Sequence, residues 1–168
     1  MAGLDRRSAL GVAVAAAGLA AGGAAVQAAP RARKLSPAQQ IDVLASRAAI
    51  EEVLYDYARG NDHSDEALIR SCFWPESAHK HGGFDGTSMG FVDFAMRLLP
   101  KLKYSKHHIS NVSVRVKGNR AFSECYYYAH HRRDVKDGTG EEDIFFEGRY
   151  IDFFERQMQL LRGRRSAF

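Results

Sequence analysis

The stretch Val112-Ser113-Val114-Arg115-Val116-Lys117-Gly118-Asn119 decides the fold class. Its valines alternate with polar residues, the period of two that sends successive side chains to opposite faces of a strand. Gly118-Asn119 has the composition of a tight hairpin turn. Beyond it, Ala121 to Arg132 returns as a long strand, and the loop Lys136-Asp137-Gly138-Thr139-Gly140 leads to another, Ile144 to Glu155. From Tyr104 onward the chain therefore reads as an antiparallel sheet.

Upstream of Tyr104 the period is helical. Ser36-Pro37-Ala38-Gln39 supplies an N-cap, a proline at the first helical position and a capping-box partner. Ile41, Leu44, Ala48, Val53, Leu54 and Tyr57 then follow at spacings of three to five, with Gly60 as the expected stop. Ser64-Asp65-Glu66 caps a short second helix carrying Leu68, Ile69, Cys72 and Phe73, which Trp74-Pro75 ends. Ser77 to His81 is a short extended piece broken by Gly82-Gly83-Phe84-Asp85-Gly86. Thr87 or Ser88 caps a third helix running to Pro100. Helices first and an antiparallel sheet second give an α+β fold.

The 168 residues, 45% hydrophobic and 26% charged, suit one ordinary globular domain, expected over 36–157. Asp5-Arg6-Arg7-Ser8-Ala9-Leu10 precedes an uncharged Ala/Gly-rich run to Val26-Gln27-Ala28, which reads as a twin-arginine signal peptide over 1–28 with cleavage before Ala29. A flexible leader, 29–35, follows. The expected location is therefore extracytoplasmic, periplasmic in a bacterium with two membranes. A membrane helix is the competing reading of the same run, but Ala and Gly gain little from lipid, so no stable membrane insertion is expected after processing. Cleavage leaves 22 basic and 19 acidic side chains, a net charge of +3. The basic residues are scattered except at Arg31-Ala32-Arg33-Lys34 and in the tail, so nucleic acid is not an expected partner. Cys72 and Cys125 are the only thiols; an exported protein could join them, but both fall where a small buried hydrophobe suits.

The residues that carry chemistry are Asp62, in Gly60-Asn61-Asp62-His63, and two strand-borne pairs, His107-His108 and His130-His131. A carboxylate bonded to one ring nitrogen of His107 would fix its tautomer and balance the charge the ring gains, leaving the other nitrogen to take a proton from carbon. Because strand neighbours point to opposite faces, only one histidine of each pair can face the interior. Alternation groups His131 with Ala129, Tyr127, Cys125 and Ser123. It also separates His107 from the valine stripe unless a bulge intervenes around Ile109 to Asn111.

The helix–helix–helix–sheet order, with Leu44-Ala45-Ser46-Arg47-Ala48-Ala49-Ile50, Tyr57, Asp62 and the Lys106-His107 strand start, resembles the SnoaL-like branch of the nuclear transport factor 2 superfamily. Within it the chain is most similar to the scytalone dehydratase and hexachlorocyclohexane dehydrochlorinase group, from about Ile41 to Arg156. The resemblance implies an NTF2-like cone, a curved sheet around helices with an apolar cavity, and neither metal nor organic cofactor. It further implies an Asp62–His107 dyad, with Tyr57 and His131 as further catalytic groups and His131 chosen over His130. Trp74, His81, Phe84, Tyr127 and Asn111 are the expected substrate contacts. The outer face of such a sheet often pairs with a second copy, so a homo-oligomer is an expected partner beside a small hydrophobic substrate.

The activity implied is that of a cofactor-independent lyase, dehydratase or dehydrohalogenase in type, or an isomerase, acting on a small apolar carbonyl or alcohol compound. Other readings stay open: a non-catalytic ligand-binding or assembly module, or a hydrolase like the superfamily's epoxide hydrolases. Asp62 also suits an N-cap for the second helix. His63, His79, His108 and His130 suit structural or surface roles, and Trp74, Phe84 and Tyr127 an ordinary core. His79, His81, His107 and His131 are a rival set of zinc ligands if three of them converge. The family pattern also calls for a turn and a last strand bearing tryptophan. Here Gln157-Met158-Gln159-Leu160-Leu161-Arg162-Gly163-Arg164-Arg165 stands instead, so a strand is expected to be missing and 158–168 to form a basic tail.

Overall fold

The computed structural model describes residues 34–156. The expected signal peptide at 1–28, most of the leader at 29–35 and the tail at 158–168 lie outside them. Helix α1 spans Pro37–His63. The capping box forms as expected: Gln39 N–H donates to Ser36 Oγ at 3.2 Å and Ser36 N–H to Gln39 Oε1 at 2.9 Å. Ile50, Val53, Leu54, Tyr57 and Ala58 form its buried face, whereas the apolar residues of its first turns do not join the core, Ile41 being 67% and Leu44 64% exposed.

Gly60 is not the stop. The helix runs one turn further to a left-handed Ser64 at φ 53°, and the Asp65 N–H closes the end on Gly60 O at 2.8 Å. Gly60 is small because α2, Glu66–Ser71, crosses it: a Cβ there would lie 2.7 Å from Ile69 Cγ1. Asp65, not Asp62, caps α2 by accepting the Leu68 N–H at 3.0 Å.

Strands β1, Ala78–His81, and β2, Phe84–Thr87, form a hairpin. The glycines of Gly82-Gly83-Phe84-Asp85-Gly86 suggest a break there, but Phe84, Asp85 and Gly86 belong to β2 together with Thr87, the expected helix cap. The hairpin mouth is closed by the buried pair Ser77 Oγ and Ser88 Oγ, 2.6 Å apart. Thr87 caps α3, which ends at Met96 rather than at Pro100, followed by a 3-10 turn at Leu99–Lys101. No helix among the described residues is long and apolar enough to cross a membrane.

The main sheet contains β3, Tyr104–Lys117; β4, Arg120–Asp134; and β5, Glu141–Glu155, antiparallel in that order. The register of β3 against β4 shifts between Ser110 and Ser113, and Asn111 sits at φ 53°, a conformation asparagine tolerates better than most residues. That bulge brings Ser105, His107 and Ile109 onto the same inner face as Val112, Val114 and Val116. Helix α1 packs along β3, and Ile69, Val92 and Cys125 are fully buried between helices and sheet. Cys72 and Cys125 form no disulfide and are both buried. Among the described residues β5 has a neighbour on one side only.

Candidate active site

The last turn of α1 delivers Asp62 to the start of β3. A carboxylate at a helix C-terminus meets the wrong end of the helix dipole, and β3 compensates it with three donors. Ser105 Oγ donates to Asp62 Oδ1 at 3.2 Å, the His107 N–H donates to Oδ2 at 3.0 Å, and His107 Nδ1 lies 2.6 Å from Oδ1. Ser105 and His107 are alternate residues of one strand face, which is why a single carboxylate reaches both. Burial pushes the Asp62 carboxyl up, but the His107 ring and backbone and the Ser105 hydroxyl outweigh it and hold Asp62 below the usual carboxylate range. An ionised Asp62 requires the proton on Nδ1, so Nε2 carries the free lone pair. The side chain of His107 is only 8% exposed.

His107 lines an open-mouthed cavity of about 690 Å³ bounded by the helices, the β1–β2 hairpin and the inner face of the sheet. Leu54, Phe73, Phe91, Leu99, Ala129 and Phe154 supply apolar wall. Among the expected catalytic residues, Tyr57 and His131 also line it. The His131 ring stands 5.3 Å from that of His107, edge-on, and its Nε2 is buried without a hydrogen-bond partner. Burial, then the neighbouring His107, pulls His131 below the usual histidine range, with Asp62 opposing. Tyr57 is pushed up by burial and by Asp152 and keeps its proton. His130 points to the other face, 2.7 Å from Asp143, and His108 packs there on Tyr128.

Of the expected substrate contacts, His81 and Tyr127 line the cavity. Three do not. Trp74 is buried behind the wall, its indole N–H donating to Glu155 O at 3.3 Å, so it ties the end of α2 to the end of β5. Phe84 packs on Phe91 and Phe94, one layer outside. Asn111 is exposed because the bulge uses it for its backbone.

His79 and Asp152 line the cavity without being among the expected catalytic or substrate-contact residues. His79, expected in a structural or surface role or as a rival zinc ligand, stacks on Phe91 at 3.9 Å with both ring nitrogens buried and unpartnered, and burial pulls it down to about 4. Asp152 reaches the cavity from β5. The signal was available, because Asp152 shares strand parity with Tyr150 and Phe154. His79, His81, His107 and His131 all reach this cavity, yet no three metal-ligating side chains among the described residues are grouped to hold an ion.

The arrangement offers a carboxylate-oriented imidazole with one free nitrogen, a second imidazole beside it and a phenol, all facing a largely apolar hollow. Comparison with known proteins agrees with this geometry at the level of fold. The model of the SnoaL-like domain matches residues 42–164. A type 2 hexachlorocyclohexane dehydrochlorinase is 22% identical, with 76% of this chain and 84% of that one covered at a TM-score of 0.63. A type 3 enzyme of that name from Novosphingobium barchaimii is 20% identical, covering 76% and 85%, also at 0.63. An NTF2-like superfamily protein from Salmonella enterica is 17% identical, covering 74% and 87%, at 0.63. No curated protein matches in sequence. With three quarters of its length matched by that domain model and the cone built around its cavity, the chain belongs to the SnoaL-like domain family.

Proposed function

We propose that the protein is a lyase that removes water or hydrogen halide from a small, mostly apolar compound, with His107 as base and Asp62 as its positioning carboxylate. The observation that carries this reading is the 2.6 Å contact between Asp62 Oδ1 and His107 Nδ1 at the wall of the cavity. His107 Nε2 takes the proton from a carbon made acidic by a neighbouring carbonyl or by halogens. The electron pair left behind forms the alkene as hydroxide or halide leaves the adjacent carbon. Asp62 balances the imidazolium during that step and prevents the ring from turning. His131 and Tyr57, both proton-bearing and both at the cavity, are the donors for the departing group or for the oxygen of a developing enolate. An isomerase follows from the same base when the proton returns at another carbon. Two structural relatives are named dehydrochlorinases, which makes halide a leaving group to test first.

The test is a screen of β-hydroxy ketones for loss of water and of hexachlorocyclohexane for release of chloride, comparing the parent with His107→Ala and Asp62→Asn. Turnover by the parent and a loss of about two to four orders of magnitude in each variant are expected. Equal turnover in all three would remove both residues from the mechanism.

A further inference from the structure

The cavity has a second polar end, of which the proton transfer uses only Tyr57. Asp152 lies on the inner face of β5 between Tyr150 and Phe154, directly across from Ser123 of β4. Ser123 is fully buried, and its hydroxyl makes no hydrogen bond of good geometry. The ionisable groups facing Asp152 are Tyr57 from α1, Cys125 from β4 and Tyr150 on β5 itself, and burial raises all three so that each stays neutral. The cations of the same strand end are engaged elsewhere: Arg149 with Glu124 at 3.1 Å and Arg156 with Asp42 at 2.9 Å. A carboxyl withdrawn from water, with no cation paired to it among the described residues, is costly to ionise. Accordingly, burial pushes Asp152 up to about 7, with the Ser123 hydroxyl pulling the other way.

Position along the sheet fixes what such a group can touch. His107 is across from Ala129, and Ala129 from Phe146. Asp152 is six residues further along β5 than Phe146, at most about 20 Å on an extended strand before the reach of the two side chains is subtracted. A ligand meeting both ends must be elongated, and a cavity of about 690 Å³ has room for two or three fused or linked rings.

We infer that the Asp152 carboxyl, carrying its proton, donates a hydrogen bond to an oxygen acceptor at the far end of an elongated and otherwise apolar ligand, such as the carbonyl of a biaryl ketone. This rests on reading the cavity as the substrate site and adds the substrate class: a molecule whose reacting carbon and remote acceptor oxygen sit at opposite ends. An ordinary core carboxyl would show no preference for such an oxygen.

The test is calorimetric binding of 4-acetylbiphenyl against 4-ethylbiphenyl, which replaces the carbonyl by a methylene, to the parent, Asp152→Asn and Asp152→Leu. At about pH 6 the parent should favour the ketone about fivefold to tenfold, the worth of one buried hydrogen bond. That preference should shrink by about pH 9 as the carboxyl ionises and stops donating. Asp152→Asn, which keeps a donor, should retain a preference that does not change with pH, and Asp152→Leu should have none. Equal binding of the two compounds by the parent, binding of neither, or a ketone preference retained in Asp152→Leu overturns the inference. Should the leucine variant fail to fold, a parent preference unchanged between those pH values overturns it instead. Binding is read without turnover, so this preference without any elimination contradicts the lyase reading alone, and elimination without the preference contradicts this inference alone.

Discussion

Gly60 and Ile69 meet where α1 and α2 cross, so close that a Cβ on Gly60 would stand 2.7 Å from Ile69 Cγ1 and 3.2 Å from the Ile69 backbone nitrogen. Ile69 is fully buried and has nowhere to go. An ordinary helical glycine gains up to about 1 kcal/mol on replacement by alanine. Here overpacking should reverse the sign, and Gly60→Ala should destabilise the fold by about 1–2 kcal/mol. Urea unfolding measures it, and a stabilised variant would mean that the crossing is looser than described. Since Asp62 is two residues on, the same variant should also lower any activity that depends on the dyad.

His79 gives the fold a pH dependence of defined sign. Its folded value, pulled down to about 4 by burial and by the neighbouring His81, lies below the ordinary histidine value of 6.5. The folded state therefore binds fewer protons than the unfolded chain between those values, and stability should fall as pH drops from about 6.5 to about 4. His79→Phe, which keeps the stack on Phe91 and removes the titration, should flatten that part of the melting-temperature profile. An unchanged acid limb would show that other groups dominate it.

The N-terminal Arg6-Arg7 pair makes a prediction of its own, as the reading of 1–28 as a twin-arginine signal remains a proposal. Replacing both by lysine should leave the unprocessed chain in the cytoplasm of a bacterium with that export pathway, while the parent appears shortened outside the inner membrane. Fractionation with immunoblotting checks it, and export of both forms would reject the twin-arginine route.

Local rules carried much of this architecture. Ser36, Pro37 and Gln39 specify the start of α1 through hydrogen bonds within four residues, and Gly118-Asn119 specifies the β3–β4 turn through backbone freedom. The placement of His107 depended on a bulge near Asn111, which alternation required for one shared face and the register shift supplies. Long-range packing was not legible. Gly60 looked like a helix stop because its real constraint, Ile69, comes from another element. Phe84-Asp85-Gly86 looked like a break because of its glycines, which the pairing of Phe84–Thr87 with Ala78–His81 outweighs. Trp74 has the residue type of a substrate contact, but its indole N–H is spent on Glu155 O at the far end of the chain. Asp152 was passed over because an isolated acidic residue in a strand ordinarily faces solvent.

Proton removal from carbon is the central step, and exchange reads it without any need for a leaving group. The rate at which 2-tetralone loses its hydrogens next to the carbonyl in heavy water, followed by proton NMR, should rise with added parent protein. It should fall by about two orders of magnitude or more with His107→Ala and by a smaller factor with Asp62→Asn. Exchange that is equally fast with the parent and with His107→Ala would contradict the assignment of His107 as the base.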